Sequence, residues 1–307
     1  RRKATVEHCR ELAGEPLDSH VIMAFRPFAI ADRNAYATIV SGFFPRAGHE
    51  HWMRGVRVLV RDDASKPFLV PYLAQAGIED VRVLDADLSP QALLVGIEQA
   101  TADPDAPMPE RMLGLVQLAS MDLAYRKYPD AVKKFRAAYG YFTKAENTPQ
   151  RALCLHGMGL AAERGGQPER GKTLFQQGIA LAATDKHALP VTLLLASSLG
   201  DVCHSLHQHD EALGYYQLAE QLATGLGNLP VRIEALLKQG DVRVELRQPM
   251  ESLTLWMSAS ELAREFLVFS LWRDALDRRL RVCKREGLRE RVAEVEQERA
   301  LLNELER

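Results

Sequence analysis

One short stretch of the chain has the residue types and spacing of a phosphate-binding loop. In the segment GGQPERGKT, Gly166, Gly171, Lys172 and Thr173 complete the pattern G-x-x-x-x-G-K-T. Such a loop wraps backbone N–H groups around a phosphate whose charge the lysine neutralises, and it follows a buried strand. Residues 151–164, which precede it, instead carry small and apolar residues at helical spacing and almost no β-branched residue. We therefore predict a helix before the segment and no nucleotide site.

Aspartates follow predicted strands in the first hundred residues, namely Asp62, Asp63, Asp85 and Asp87. Ligands of parallel α/β sheets bind beyond the carboxyl ends of strands, where paired carboxylates could hold Mg²⁺ or act as acid and base. Aspartate is equally favoured in turns and helix caps, and this is the interpretation that we prefer. With neither G-x-G-x-x-G nor G-x-S-x-G in this region, we expect no catalytic residue and no enzyme.

Two histidine-rich segments contain residue types that bind zinc. The segment CHSLHQHDE places Cys203 and His207 four residues apart, with His209 and Asp210 just beyond. The competing interpretation is an inward-facing cysteine followed by a turn between two helices. The segment GHEHW, residues 48–52, lacks the i, i+4 pairing of helical zinc sites and is interpreted as a polar loop. We prefer the structural interpretation of both segments and predict no metal and no cofactor.

An internal repeat predicts the helices that surround these segments. Small residues recur at spacings of 40, 41 and 40 residues, at Ala131, Gly171, Ala212 and Ser252. Four residues after each stands an aromatic: Phe135, Phe175, Tyr216 and Trp256. Further small residues lie twelve before, at Ala119, Gly159, Gly200 and Gly240, and seven after, at Ala138, Gly178, Ala219 and Ala259. Small residues let two antiparallel helices approach closely, and the ring fills the gap to the neighbouring pair.

At these residues the chain resembles the tetratricopeptide repeat (TPR) family, with the usual period of about 34 residues lengthened. The resemblance covers roughly residues 110–265, and a degenerate fifth pair is expected to follow. The first-helix Trp/Tyr of the family is missing, and Gln239 and Arg243 replace residues that are normally apolar. The resemblance implies an α-solenoid in which GGQPERGKT is a turn between helices and Lys172 points toward solvent.

The first hundred residues have a different pattern. The β-branched runs HVIMAF, VRVLVRD and VRVLDADL alternate with segments of helical character, which predicts a small parallel sheet with right-handed crossovers. The fold class is therefore mostly α, a TPR-like solenoid preceded by a small α/β domain. We predict the α/β domain over residues 1–103, a linker over 104–110, and the repeat domain with C-terminal capping helices over 111–307.

The resemblance also implies a groove for a partner's peptide or helix, lined by the first helix of each pair. The groove-facing positions are then His156, Leu160, Glu163, Ser197, Asp201, His204, Leu237, Asp241 and Glu245. The Lys/Asn clamp with which some family members bind a terminal carboxylate is missing. The four carboxylates favour a basic or amphipathic segment, unless they are simply the solvated face of their helices.

Composition limits the other classes of partner. The 307 residues carry a net charge of −2, which gives no reason to expect nucleic acid, and no run approaches the roughly 20 apolar residues of a membrane span. Four widely separated cysteines suit a reducing cytoplasm.

The C-terminal helix carries Leu288, Val292, Val295 and Leu302 near heptad spacing. It either pairs with a second chain, which would make the protein an oligomer, or caps the solenoid.

The leading function is a cytoplasmic adaptor or scaffold that holds a partner protein. The alternatives are a signalling or enzymatic domain built on Asp62, Asp63 and Asp85 and regulated by the repeats, and a peptide-sensing regulator.

Overall fold

The computed structural model describes residues 21–25, 32–44, 53, 56–60, 62, 66–78, 81–83 and 89–306. The chain divides into two compact units, Arg1–Leu88 and Ser89–Arg307.

The first unit contains a parallel strand pair. Strand β1 (Val21–Phe25) pairs with β2 (Val56–Val60), with Val21 opposite Val56, and helix α1 (Arg33–Ser41) lies between them in the chain. Helix α2 (Leu69–Gln75) follows and packs on α1 through a small core of Ala37, Val40, Leu69 and Leu73. The predicted α/β character and parallel pairing are confirmed. Of the predicted third strand, residues 81–83 have no regular structure and residues 84–88 lie outside the described part.

The second unit is a stack of helix pairs preceded by α3 (Pro90–Ala102). The pairs are α4 (Met108–Ala124) with α5 (Tyr128–Lys144), α6 (Thr148–Arg164) with α7 (Pro168–Ala182), α8 (Leu189–Ser205) with α9 (His209–Gly225), α10 (Leu229–Glu245) with α11 (Pro249–Glu265), and α12 (Phe269–Arg285) with α13 (Arg289–Leu305). The first helices begin at intervals of 40, 41, 40 and 40 residues. The predicted TPR-like solenoid is confirmed, and the fifth pair is complete.

The division between the two units differs from the predicted one. Helix α3, which the sequence placed at the end of the α/β domain, packs on α4, and the Arg111 side chain donates to the carbonyl oxygen of Thr101 at 3.0 Å. The predicted linker over 104–110 therefore lies inside the second unit: residues 104–107 connect α3 to α4, and residues 108–110 begin α4.

Rings and glycines meet within each central pair, so the ring lies against the glycine of its own pair, whereas the sequence predicted that it fills the gap to the neighbouring pair. Phe175, Tyr216 and Trp256 are at most 2% exposed. A Cβ added to Gly159, Gly200 or Gly240 would stand 2.4, 2.3 or 2.2 Å from the ring of its own pair. Only a glycine allows the second helix to bring its ring this close to the first helix. Because the ring covers the glycine side of each first helix, the opposite side of that helix faces away from the second helix of the pair.

Two polar residues at normally apolar positions have partners in the neighbouring helix. Gln239 is 3% exposed and its amide donates to the Glu220 carboxylate at 2.8 Å. The Arg243 guanidinium pairs with Glu251 at 2.9 Å. The departures from the TPR pattern are thus satisfied by hydrogen bonds, which removes most of the cost of burying them.

One helical segment has the length and hydropathy of a membrane span, contrary to the expectation from the sequence. Among the described residues it is Lys186–Ser205, and more than half of it is buried between other helices of the array. A core helix meets the same criteria, so this segment is accounted for by its packing in the solenoid.

In the described part of the chain, eight helices of the array, all except α7 and α13, are followed within two residues by one with left-handed backbone conformation. These residues are Arg126, Glu146, Gly166, His207, Gly227, Arg247, Leu267 and Gly287. The next N–H then bonds back to a carbonyl in the last helical turn, as from Gln167 to Ala162 at 2.9 Å and from Val268 to Ala263 at 2.8 Å. The first glycines of GGQPERGKT therefore serve as a helix stop.

Leu267→Gly is expected to raise the free energy of unfolding by about 1 kcal/mol, because a leucine at φ 55° is strained where glycine is not. The side chain is 57% exposed, so little packing is lost. Urea denaturation measures the change. Leu226→Gly is the matched control, since Leu226 ends α9 at φ −89° and gains nothing from glycine. Equal losses of stability in both variants would contradict the strain argument.

Candidate functional site

The first helices of successive pairs are joined by polar contacts on one face. The contacts are His156 Nε2 with Ser198 Oγ at 2.9 Å, Lys238 Nζ with Asp201 Oδ1 at 2.6 Å, and Arg278 Nε with Asp241 Oδ1 at 2.9 Å. We call this surface of α6, α8, α10 and α12 the first-helix face. Each contact links residues about one repeat apart, so polar side chains join the same face of consecutive first helices.

The nine predicted groove positions lie on three of these helices. All except Leu237 are half-buried or exposed. Leu237 is 3% exposed and packs in the core with Trp256 and Trp272, so it offers no surface to a partner and this assignment is corrected. Leu160 is half-buried and packs against core residues. Leu237 was predicted from its helical spacing to the other groove positions, but at that position the side chain faces the core and not the surface of α10.

Two predicted carboxylates are already paired within the chain. Asp201 binds Lys238 and also accepts a hydrogen bond from the Tyr216 hydroxyl at 2.8 Å. Asp241 binds Arg278. Sequence reasoning missed both cations, although each stands 37 residues after its aspartate and that regular interval could have revealed them. The face is therefore more balanced in charge than its acidic residues suggested.

Glu163 differs from these two aspartates. Among the described residues its carboxylate has no hydrogen bond or ion pair. Burial, followed by the nearby negative charge of Asp201, raises the pKa of the Glu163 carboxyl, while Arg164 and Lys238 partly oppose this rise. A half-buried carboxylate without a direct partner would gain from a cation supplied from outside.

His156 holds the first contact of the face. Burial, followed by the charge of Arg164, lowers the pKa of its imidazole to about 4, so the ring is neutral near pH 7. The ring also lies against Phe175, with centroids 5.6 Å apart. His156 thus positions α6 against α8 through a neutral hydrogen bond.

Three residues with side chains that can bind a metal ion, His204, His209 and Glu245, lie together where α8, α9 and α10 meet. Glu245 Oε2 lies 2.9 Å from His204 Nε2 and 3.1 Å from His209 Nδ1. The zinc arrangement weighed from the sequence does not form as such. Cys203 is fully buried in the core, where burial raises the pKa of its thiol to about 11, and His207 occupies the turn at φ 59°.

Lys172 does not point toward solvent, contrary to the sequence-based expectation. Its side chain is 12% exposed, and Nζ contacts Glu211 Oε2 at 2.8 Å and Gln208 Oε1 at 2.6 Å. The hydrogen bond to Glu211 raises the pKa of the amine. Lys172 therefore joins α7 to the start of α9. A helix and not a strand precedes GGQPERGKT, so the predicted helix over residues 151–164 is confirmed.

Asp62 serves as a helix cap. Its two carboxylate oxygens accept hydrogen bonds from the backbone N–H groups of Phe68, Leu69 and Val70 at 3.2, 3.0 and 3.1 Å. This confirms the capping interpretation for Asp62. The remaining candidates Asp63, Asp85 and Asp87, and the segment 48–52, lie outside the described residues.

The apolar stripe of the last helix is used inside the chain. Val295 and Leu302 are at most 1% exposed, and Leu288 and Val292 pack against the same core of α11 and α12. These contacts support the capping interpretation. The stripe is not available for pairing with a second copy.

No protein-family model matches the sequence, and no curated protein matches it. Solved structures with similar backbones include TPR-like repeats of a kinesin light chain from Podosopora anserina (TM-score 0.52, 16% identity, 65% of this chain and 98% of that one). BtubC (BKLC) from P. vanneervenii has a TM-score of 0.59 at 12% identity, covering 71% and 93% of the two chains. A Rap protein complexed with Competence and Sporulation Factor has a TM-score of 0.51 at 11% identity, covering 70% of each. At these identities the likeness establishes the fold, which is TPR-like.

Proposed function

We propose that this TPR-like chain is a protein-interaction adaptor that holds a segment of a partner protein on its first-helix face. The face is continuous over four helices and polar, and its side chains remain accessible at the junctions between repeats. One similar structure, the Rap protein, is complexed with Competence and Sporulation Factor. The observation that carries the proposal is the half-buried Glu163 carboxylate, which no other described side chain neutralises by direct contact.

The chemistry of the face favours a basic or amphipathic partner segment. Asp201 and Asp241 are compensated by Lys238 and Arg278, so a partner's cation gains little there unless it displaces them. At Glu163 a lysine or arginine meets a carboxylate that is already partly desolvated. A charge-assisted hydrogen bond in such a position contributes about 1.5–3 kcal/mol.

Glu163→Gln is expected to weaken the binding of Lys/Arg-containing amphipathic peptides about tenfold or more, because the charge-assisted contact is lost. Fluorescence anisotropy on the strongest binder from a peptide array measures the change. Glu261→Gln, an exposed carboxylate on the second helix α11, is the matched control and should bind as the wild type does. Undiminished binding by the Glu163 variant would remove this residue from the proposed site.

The melting temperature of the Glu163→Gln variant distinguishes the loss of a partner contact from misfolding. The folded-state pKa of Glu163 lies above its ordinary value of 4.5, so ionisation costs stability above that value and costs nothing below it. Glu163→Gln should therefore melt at a higher temperature than the wild type at pH 7, and this gain should disappear in acid. A melting temperature lowered at pH 7 would instead indicate a structural role.

The alternative of an Asp-based signalling or enzymatic unit is weaker after the assignment of Asp62. Both of its oxygens accept hydrogen bonds at the start of α2, so helix capping accounts for this aspartate without a metal ion or a phosphoryl group. We also propose a cytoplasmic location, supported by three separated, buried free thiols at Cys154, Cys203 and Cys283.

A further inference from the structure

Two imidazoles and a carboxylate lie close together at the turn between α8 and α9, beside the end of α10. His204 lies in the last turn of α8, His209 begins α9, and Glu245 ends α10. Their candidate donor atoms all lie within 4.8 Å of one another. The distances from Glu245 Oε2 to the two ring nitrogens are 2.9 and 3.1 Å.

We propose that these three residues bind a divalent transition-metal ion of the zinc class. Imidazole nitrogen and carboxylate oxygen are ligands that Zn²⁺ accepts, and three protein ligands leave one tetrahedral position for water. Zinc–ligand distances of about 2.0–2.2 Å place tetrahedral donor atoms roughly 3.3–3.6 Å apart. The distances of 2.9 and 3.1 Å at Glu245 are a few tenths of an ångström shorter than that spacing, so the carboxylate must move slightly away from the two rings when the ion binds.

The hydrogen-bonding state of His209 supports the same assignment. Its Nδ1 atom is buried and has no hydrogen-bond partner of acceptable geometry among the described residues, although Glu245 Oε2 is near. A buried ring nitrogen without a partner has lost the hydrogen bonds that it made with water, whether it carries a proton or a lone pair. Coordination of a metal ion would satisfy it.

The helix ends at the cluster act in both directions. The carbonyl ends of α8 and α10, which end at Ser205 and Glu245, favour a cation, while the N-terminal end of α9, which begins at His209, partly opposes them. A metal ion bound there would connect the α8/α9 pair to α10 across a repeat junction. The metal site shares His204 and Glu245 with the predicted groove positions but does not use Glu163, so its test does not depend on the binding of a partner segment.

The test uses the purified chain stripped of metal and titrated with Zn²⁺. We expect a rise in melting temperature that saturates at one equivalent for this site, and no such rise with Mg²⁺, which prefers oxygen ligands. Co²⁺ in place of Zn²⁺ should give the visible absorption of a four-coordinate ion. Absence of any Zn²⁺-dependent stabilisation in the wild-type chain would overturn the proposal.

Matched variants locate the ion. His204→Gln and Glu245→Gln should each weaken the apparent Zn²⁺ affinity about tenfold or more and remove the Co²⁺ spectrum. His187→Gln, an exposed histidine outside the cluster, should change neither. Because both altered side chains are partly exposed, the metal-free variants should melt close to the wild type. Zn²⁺ stabilisation that persists unchanged in both cluster variants would assign the ion elsewhere and reject this site.

Discussion

Glu298→Ala will lower the free energy of unfolding by about 3–5 kcal/mol, because it leaves a buried arginine without its counter-charge. The Arg279 side chain is 10% exposed, and its Nη1 donates to Glu298 Oε2 at 2.7 Å. The other oxygen, Oε1, accepts from Ser260 Oγ and from Trp272 Nε1, both at 2.8 Å. One carboxylate thus satisfies donors from α11 and α12 and connects them to α13.

The pH dependence of this effect follows from the pKa of Glu298. Burial alone would raise that pKa, but hydrogen bonds from Trp272, Ser260 and Arg279 together hold it below its ordinary value of 4.5. A group with a depressed folded-state pKa stabilises the fold above its unfolded-state pKa, and this contribution is lost as the pH falls through the folded-state value. The difference between Glu298→Ala and the wild type should therefore shrink in strong acid.

Glu296→Ala is the matched control on the same helix. Glu296 pairs with Lys284 at 3.1 Å, but both side chains are more than half exposed, so the loss should be at most about 1 kcal/mol. Repeat arrays can unfold in parts, so the measurement combines urea denaturation with hydrogen exchange in α12 and α13. Similar losses in the two variants would show that Glu298 contributes no more than a surface pair.

Gly240→Ala will destabilise the chain by about 1–3 kcal/mol, although alanine is the better helix former. The new Cβ would lie 2.2 Å from Trp256 Nε1, and that indole is 2% exposed. Moving the ring also breaks its hydrogen bond to the carbonyl oxygen of Leu237, which is 3.0 Å long. Denaturation followed by tryptophan fluorescence should show the loss, together with a changed emission from the displaced indole.

Gly214→Ala is the control for the change in helix propensity. A Cβ at Gly214 meets no atom within 4 Å, and the position is exposed on α9. It should therefore gain stability, by roughly 0.5–1 kcal/mol. If both alanine variants are stabilised, the close approach of Trp256 to α10 is not a constraint on the fold.

The repeat architecture was predictable because its signal is local and recurrent. Small residues and rings at fixed offsets, such as Gly200 with Tyr216, are required wherever two helices pack this closely, so their spacing appears directly in the sequence. The strand pair of the first unit was predictable for a similar reason, from compact β-branched runs separated by one helix. The N-terminal boundary was not, because Pro90–Ala102 is an apolar helix that fits either unit until its packing partner α4 is known.

The polar features of the face depended on the tertiary structure. Amino-acid sequence alone determined which residues lie on first helices and which turns end them, because those properties arise within one helix pair. Whether Lys172 faces solvent or Glu211, whether Leu237 is buried, and whether Asp201 is free or bound to Lys238 depend on how far one pair rotates against the next. That rotation results from the summed packing of many side chains, so only the folded array decided it, and with it the convergence of His204, His209 and Glu245.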